Sequence, residues 1–201
     1  TKSHLSLFSF DFPTLLKIGQ VSNANGSGST SSTYRTSMSA NLYPDYNSRN
    51  PLNDFAFRSY ALARDLTNTP RLFPAGQEPV NLVQYSPGKE YRPHCDGECN
   101  GRPFNVGNRI ATAVAYCEAP SAGGATTFTR SGLKIQPVEN SILFFAYRYR
   151  DDRMSMDNGQ TEHSGCPVTE GEKFIAVQWF RDGVSQNRPW DHFRAINGGG
   201  R

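Results

Sequence analysis

The chain has 201 residues, of which 36% are hydrophobic, 19% charged and 12% aromatic. That is enough apolar material for one domain with a sizeable core, and it excludes a disordered tail or a miniature disulfide-dependent fold. A formal net charge of +3, spread without a Lys/Arg block, is too mild to argue for a nucleic-acid partner. The longest apolar run, Ser141 to Tyr147, falls far short of the roughly 18 residues of a membrane span. A single soluble domain over residues 1–201 is expected.

In chain order, the apolar clusters Leu5–Phe10 and Leu15–Ile18 read as strand or short helix. Residues 22–33 are Ser, Asn, Gly and Thr with Ala24 the one apolar residue, too little to offset the entropy of ordering. This flexible loop is either an inert surface element or a lid that orders on substrate. From Pro51 to Asn68 apolar residues recur at three and four positions, which predicts a helix. After Pro70 the pattern changes to short strands between Pro/Gly turns: Val80–Tyr85, Arg109–Cys117, Thr126–Thr129, Ser141–Arg148 and Lys173–Phe180. The expected class is mainly β with supporting helices, a sandwich or barrel. Its core would run over about residues 71–183, followed by a tail over 184–201.

Four cysteines, Cys95, Cys99, Cys117 and Cys166, do not form the paired C-x-x-C of a zinc site. Cys95 and Cys99 either close a small disulfide loop or remain free thiols. Together with the sequon Asn25-Gly26-Ser27, the first option points to the secretory pathway and the endoplasmic reticulum lumen, with the cytoplasm as the alternative. A start at Thr1 without Met fits a processed or truncated chain.

The informative segment is Gln84 to Asp96. In an extended backbone, positions i and i+2 face one side, so His94 and Asp96 would present an imidazole and a carboxylate together, with Cys95 facing away. A second imidazole, His163, comes later in Thr161-Glu162-His163-Ser164-Gly165-Cys166. Two neutral imidazoles and one carboxylate are the facial triad of non-haem Fe(II), which leaves coordination positions open for chemistry. The bare triplet His-x-Asp occurs often as a solvated surface pair, so it carries little alone. Lys173 adds weight. By strand parity it shares a face with Ile175, Val177, Trp179 and Arg181, and an interior lysine needs an anionic partner. If the opposite face is the interior one, Phe174, Ala176 and Phe180 form the core instead. Periodicity does not choose between them.

In order along the chain stand Tyr85-x-Pro87-Gly88-x-x-Tyr91-x-Pro93-His94-x-Asp96, Gly107-Asn108-Arg109-Ile110-Ala111-Thr112, Gly123-Gly124-Ala125-Thr126-Thr127-Phe128, and His163-Ser164-Gly165-Cys166-Pro167-Val168-x-x-Gly171-Glu172-Lys173. This series resembles the prolyl 4-hydroxylases, which belong to the Fe(II)- and 2-oxoglutarate-dependent dioxygenases. The likeness runs from about Tyr34 to Arg181. It implies a double-stranded β-helix, a jelly-roll of cupin-like type, in which His94, Asp96 and His163 ligate Fe(II). Lys173 would take the distal carboxylate of 2-oxoglutarate, and Tyr91 and Thr126 would hydrogen-bond to the cosubstrate. Arg35, Arg109 and Trp179 match positions near the substrate. The implied reaction uses O2 and 2-oxoglutarate to hydroxylate peptidyl proline at C4, giving hydroxyproline, succinate and CO2, with ascorbate as a supporting reductant. The partner is then a proline-containing peptide or protein.

The chain departs from the family pattern at Trp179-Phe180-Arg181, where a Trp-x-His is common. The charged stretch Arg148–Asp157 reads as a solvated loop, with peptide recognition as the alternative. His192 falls in the tail and reads as solvated. Two other classes stay open: an oxygenase acting on another side chain or small molecule, and a jelly-roll that binds without turnover.

Overall fold

The computed structural model describes residues 17–18, 36–45, 47 and 50–193. The predicted loop over 22–33, the clusters before residue 17, Arg35, His4 and the end of the tail lie outside the described residues.

The one long helix among the described residues is α1 (Pro51–Thr67). Asn50 is extended and its side chain accepts the Asn53 N–H at 2.9 Å, while Pro51 opens the first turn, where no N–H is needed. Asn68 ends the helix in the left-handed conformation at φ 51°. The predicted span, Pro51 to Asn68, is thus one residue too long. Leu62 and Leu66, counted in the periodic set, are exposed, because that set wraps around more than one face. Phe55, Ala56, Tyr60 and Ala63 make the buried stripe.

Twelve strands lie among the described residues: β1 (Lys17–Ile18), β2 (Met38–Leu42), β3 (Val80–Tyr85), β4 (Tyr91–His94), β5 (Arg109–Glu118), β6 (Ala122–Gly123), β7 (Thr126–Phe128), β8 (Leu133–Ile135), β9 (Ser141–Ala146), β10 (His163–Gly165), β11 (Val168–Glu170) and β12 (Lys173–Arg181). They form a six-stranded sheet in the order β1-β2-β3-β12-β5-β9, a four-stranded sheet β4-β10-β7-β8, and the pair β11-β6. The pairings are antiparallel. This is the double-stranded β-helix that the resemblance implies.

Strand β12 explains why periodicity was undecided there: both of its faces are covered. Ile175 and Val177 join Val83, Tyr85, Val114 and Tyr116 in the core between the sheets. Ala176 and Phe180 pack beneath α1, with Tyr60 edge-on to Phe180 at 5.0 Å between centroids. Burying a side chain such as Phe180 from water contributes about 1.5–3 kcal/mol.

One sequence expectation needs correction. The stretch from Arg148 to Asp157 is not simply a solvated loop, since Arg148, Met156 and Asp157 are buried. Arg148 donates to Asp182 at 2.5 Å and to Thr69 at 2.6 Å, with its guanidinium over the Phe104 ring. The tail also folds back over its first part. Trp190 N–H donates to the Gly76 carbonyl at 2.8 Å, and buried Phe193 lies against Gly107, where a Cβ would stand 2.3 Å from its ring. His192 itself is exposed.

Candidate active site

His94 ends β4 and His163 begins β10, and the two residues are direct cross-strand partners. Their rings are therefore neighbours, 4.4 Å between centroids. Tyr91 stacks on His94 at 3.6 Å, and Phe145 meets His163 edge-on at 4.8 Å, so aromatic walls fix both imidazoles. His94 Nδ1 faces the Arg92 carbonyl at 2.8 Å, and His163 Nδ1 faces the Thr161 carbonyl at 2.9 Å. A carbonyl only accepts, so each Nδ1 carries the hydrogen and each Nε2 presents a lone pair.

Both lone pairs face Asp96. His94 Nε2 is 3.5 Å from Asp96 Oδ1 and His163 Nε2 is 3.8 Å from Asp96 Oδ2. Asp96 does not reach this place by strand parity. The strand ends at His94 and Asp96 sits in the bend that follows. A Cys95–Cys99 disulfide, with Cα atoms 6.2 Å apart, closes that bend. Gly97 lets it approach the Tyr147 ring, which an added Cβ would meet at 2.3 Å. Thr112 Oγ1 donates to Asp96 Oδ2 at 2.7 Å and Arg109 Nη1 donates to the Asp96 carbonyl at 2.9 Å.

Burial alone would raise the Asp96 pKa, but in the metal-free cluster the His94 and His163 imidazoles, when protonated, and the Arg109 charge outweigh it and hold the carboxyl far below the usual range. Burial pushes the His163 imidazole down, against the pull of Asp96, which favours the neutral ring. One candidate donor atom from each of the three residues lies within 4.8 Å of the others, and these residues are the one such cluster among the described residues. Two neutral nitrogens and one carboxylate oxygen fit an octahedral Fe(II) with open positions.

A cavity runs from this cluster between apolar walls that include Val83, Val114, Ile175 and Val177 to Thr126 and Lys173, with Tyr91 and Trp179 also lining it. Lys173 is 4% exposed and donates to the Gly124 carbonyl at 2.7 Å, with the Tyr85 and Tyr116 rings 5.6 and 5.5 Å away. No carboxylate among the described residues pairs with it, and burial pushes its pKa down to about 8. Gly124, at φ +68°, admits the lysine stem: an added Cβ would come within 3.3 Å of Lys173 Cδ and 2.8 Å of Pro120. Thr126 Oγ1 lies 3.0 Å from the Tyr116 hydroxyl.

Arg109 and Trp179 come together, with the guanidinium 4.0 Å above the indole ring. The structure adds Glu78, which no sequence motif marks. Its buried carboxylate takes two hydrogen bonds from Arg109 and one from Arg181, each 2.5 Å. Its own burial opposes ionisation, and the two arginines overcome it and lower its pKa. Arg181, where the family pattern has histidine, is thereby committed to Glu78 and to the Gly107 carbonyl at 2.6 Å. Asp157 was also missed. It accepts from the Gln160 and Thr161 backbone and from the Thr161 hydroxyl, shaping the turn that delivers His163. Arg35 lies outside the described residues.

A sequence profile of the 2OG-Fe(II) oxygenase superfamily matches residues 80–181, half of the chain, and the chain belongs to that superfamily. Membership implies Fe(II), 2-oxoglutarate and O2. The prolyl 4-hydroxylase subunit alpha-2 of Caenorhabditis elegans is 34% identical over 180 residues, which is 87% of this chain and 31% of that subunit. The human prolyl 4-hydroxylase subunit alpha-3 is 34% identical over 121 residues, 58% of this chain and 22% of that subunit. The chain thus spans 31% or less of the length of these curated relatives. Among solved structures, the viral collagen prolyl hydroxylase of Paramecium Bursaria Chlorella virus-1, as its 2OG complex, is 26% identical with a TM-score of 0.60, covering 74% of this chain and 80% of that one. A prolyl hydroxylase in complex with a hypoxia inducible factor peptide from Trichoplax adhaerens shares the fold at 15% identity, with a TM-score of 0.58 over 96% of this chain and 78% of that one.

Proposed function

We propose that this chain is a prolyl 4-hydroxylase that uses Fe(II), 2-oxoglutarate and O2 to hydroxylate peptidyl proline at C4, producing hydroxyproline. The observation that carries the reading is the convergence of His94 Nε2, His163 Nε2 and Asp96 at one end of a cavity with buried Lys173 also on its lining. The prolyl 4-hydroxylase relatives support the choice of substrate over another side chain or a small molecule.

In this reading His94, Asp96 and His163 hold Fe(II). When bound, the metal with 2-oxoglutarate and O2 supplies an oxidative decarboxylation, giving succinate, CO2 and the oxygen atom that ends on proline. The chain's part is to bind, orient and exclude water. Lys173 gives the cosubstrate's distal carboxylate an ionic partner, and burial makes that pairing stronger than it would be in water. Tyr91 and Thr126 supply hydroxyl donors along the cavity. Val83, Val114, Ile175 and Val177 keep its walls dry. Arg109, held by Glu78, and Trp179 face the peptide, and Arg35 is a further candidate contact. Residues 1–201 act as one catalytic domain. The Cys95–Cys99 pair favours an oxidising compartment such as the endoplasmic reticulum lumen, and no described helix is long and apolar enough to cross a membrane.

The test is incubation with Fe(II), ascorbate, 2-oxoglutarate and proline-rich peptides, with succinate and peptide mass read together. A one-oxygen mass gain on proline with matching succinate is expected. No succinate above a metal-free control overturns the enzyme reading, and succinate without peptide oxidation overturns the substrate.

A further inference from the structure

Thr112 lies in β5 on the face that carries Val114 and Tyr116 into the core, between Trp179 of β12 and Phe145 of β9 in register. It is fully buried. A valine would fill such a place with the same shape and no polar atom, so a hydroxyl there must be satisfied by a specific partner. Two oxygens are near: Asp96 Oδ2 at 2.7 Å and the Tyr147 hydroxyl at 3.3 Å. Tyr147 spends its hydrogen on the Ala111 carbonyl at 3.0 Å. The Thr112 hydrogen is thereby directed to Asp96.

The geometry points to Thr112 as the positioning residue that sets how Asp96 binds the metal. The inference rests on the reading that the His94, Asp96 and His163 cluster holds Fe(II). A carboxylate rotates about its Cβ–Cγ bond and offers one oxygen or both. The Thr112 hydroxyl restrains that rotation and engages one lone pair of Oδ2, which lies 3.8 Å from His163 Nε2, so that Oδ1, 3.5 Å from His94 Nε2, is favoured as the donor. Arg109 holds the backbone of the same residue through its carbonyl at 2.9 Å, so Asp96 is fixed at both ends by separate elements. Single-oxygen binding keeps one more position free for cosubstrate.

The test is anaerobic titration of the whole chain with Co(II), following visible absorption, for the wild type, Thr112→Val and Thr112→Ser. Thr112→Val is expected to weaken Co(II) binding by about 10- to 100-fold, the usual effect of removing a hydrogen bond to a ligand. It should also change the shape of the Co(II) spectrum, as Asp96 becomes free to bind through both oxygens. Thr112→Ser keeps the hydroxyl and should restore affinity and spectrum. A purely structural role would lower the melting temperature and leave the spectrum of the bound fraction unchanged, and that result overturns the inference, as does wild-type affinity in Thr112→Val. If Thr112→Val does not fold, Thr112→Ala removes the hydroxyl without adding bulk and is read the same way. Failure of the wild type to bind Co(II) overturns the reading of the site itself.

Discussion

The two ends of the cavity are built on opposite principles. At the triad, Asp96 receives Thr112 on its carboxylate and Arg109 on its carbonyl, a disulfide closes its bend, and each imidazole has its Nδ1 committed to a backbone carbonyl. Little has to move when a cation arrives. At Lys173 a buried ammonium has one neutral acceptor, the Gly124 carbonyl, and no anion among the described residues. One end is preorganised for its ligand, and the other holds an uncompensated charge that a carboxylate would neutralise. In the proposed reading, this difference would place selectivity for a dicarboxylate in the desolvated lysine rather than in the metal ligands.

Removing the triad carboxylate is the most severe way to break this arrangement. Asp96→Ala should reduce succinate formation to the metal-free level while circular dichroism shows the β-sheet signal retained. Residual metal-dependent turnover would mean that the two histidines suffice.

Lys173 offers a sharper test, because its two effects have opposite signs. Lys173→Ala should raise the KM for 2-oxoglutarate by about 10- to 100-fold, the range for losing a charge-assisted hydrogen bond of 1.5–3 kcal/mol. Lys173→Met should melt at higher temperature than the wild type in the ligand-free state at pH 7. The sign follows from linkage: the folded-state pKa is about 8 against an ordinary 10.5, so the unfolded chain binds the extra proton. The cost of burying the ion, about 3 kcal/mol before the Gly124 hydrogen bond is counted, is fully present below pH 8 and declines as pH rises toward 10.5. The KM for 2-oxoglutarate should correspondingly climb above pH 8, by up to about tenfold per pH unit. A flat KM profile, or a destabilised Lys173→Met, would remove the contrast between the two ends.

The smallest expected effect concerns the disulfide. Replacing Cys95 and Cys99 by serine closes no other loop, and for so short a ring the stability loss should be about 2 kcal/mol at most. Metal affinity should fall by about tenfold, equivalent to about 1.4 kcal/mol, because Thr112 and Arg109 still hold Asp96. An unchanged affinity would show that the bend needs no staple.

Much of this site was legible in the sequence because its chemistry sits in short, ordered motifs. His94, Asp96, His163 and Lys173 were readable from residue type and order, and the longer strands β3, β5, β9 and β12 from their apolar runs. Strand parity nevertheless gave the wrong reason for the meeting of His94 and Asp96, since the backbone bends after His94 and a disulfide closes the turn. The short strands β4 and β10 have too few residues for periodicity to register, and only their pairing defines them. Glu78 was hidden because nothing local marks it, and its two arginine partners come from β5 and the end of β12. Arg148 was hidden likewise: its partners Thr69 and Asp182 are far away in sequence. Long-range charge pairing leaves no local signal.

The contrast between the two ends is tested most directly by calorimetric titration of 2-oxoglutarate into Mn(II)-loaded wild type, metal-free wild type and Mn(II)-loaded Lys173→Ala, without O2. Tight binding by the first alone, with Lys173→Ala weaker by at least about tenfold (about 1.4 kcal/mol), is the expected result. Binding of 2-oxoglutarate to Lys173→Ala with wild-type affinity would contradict it.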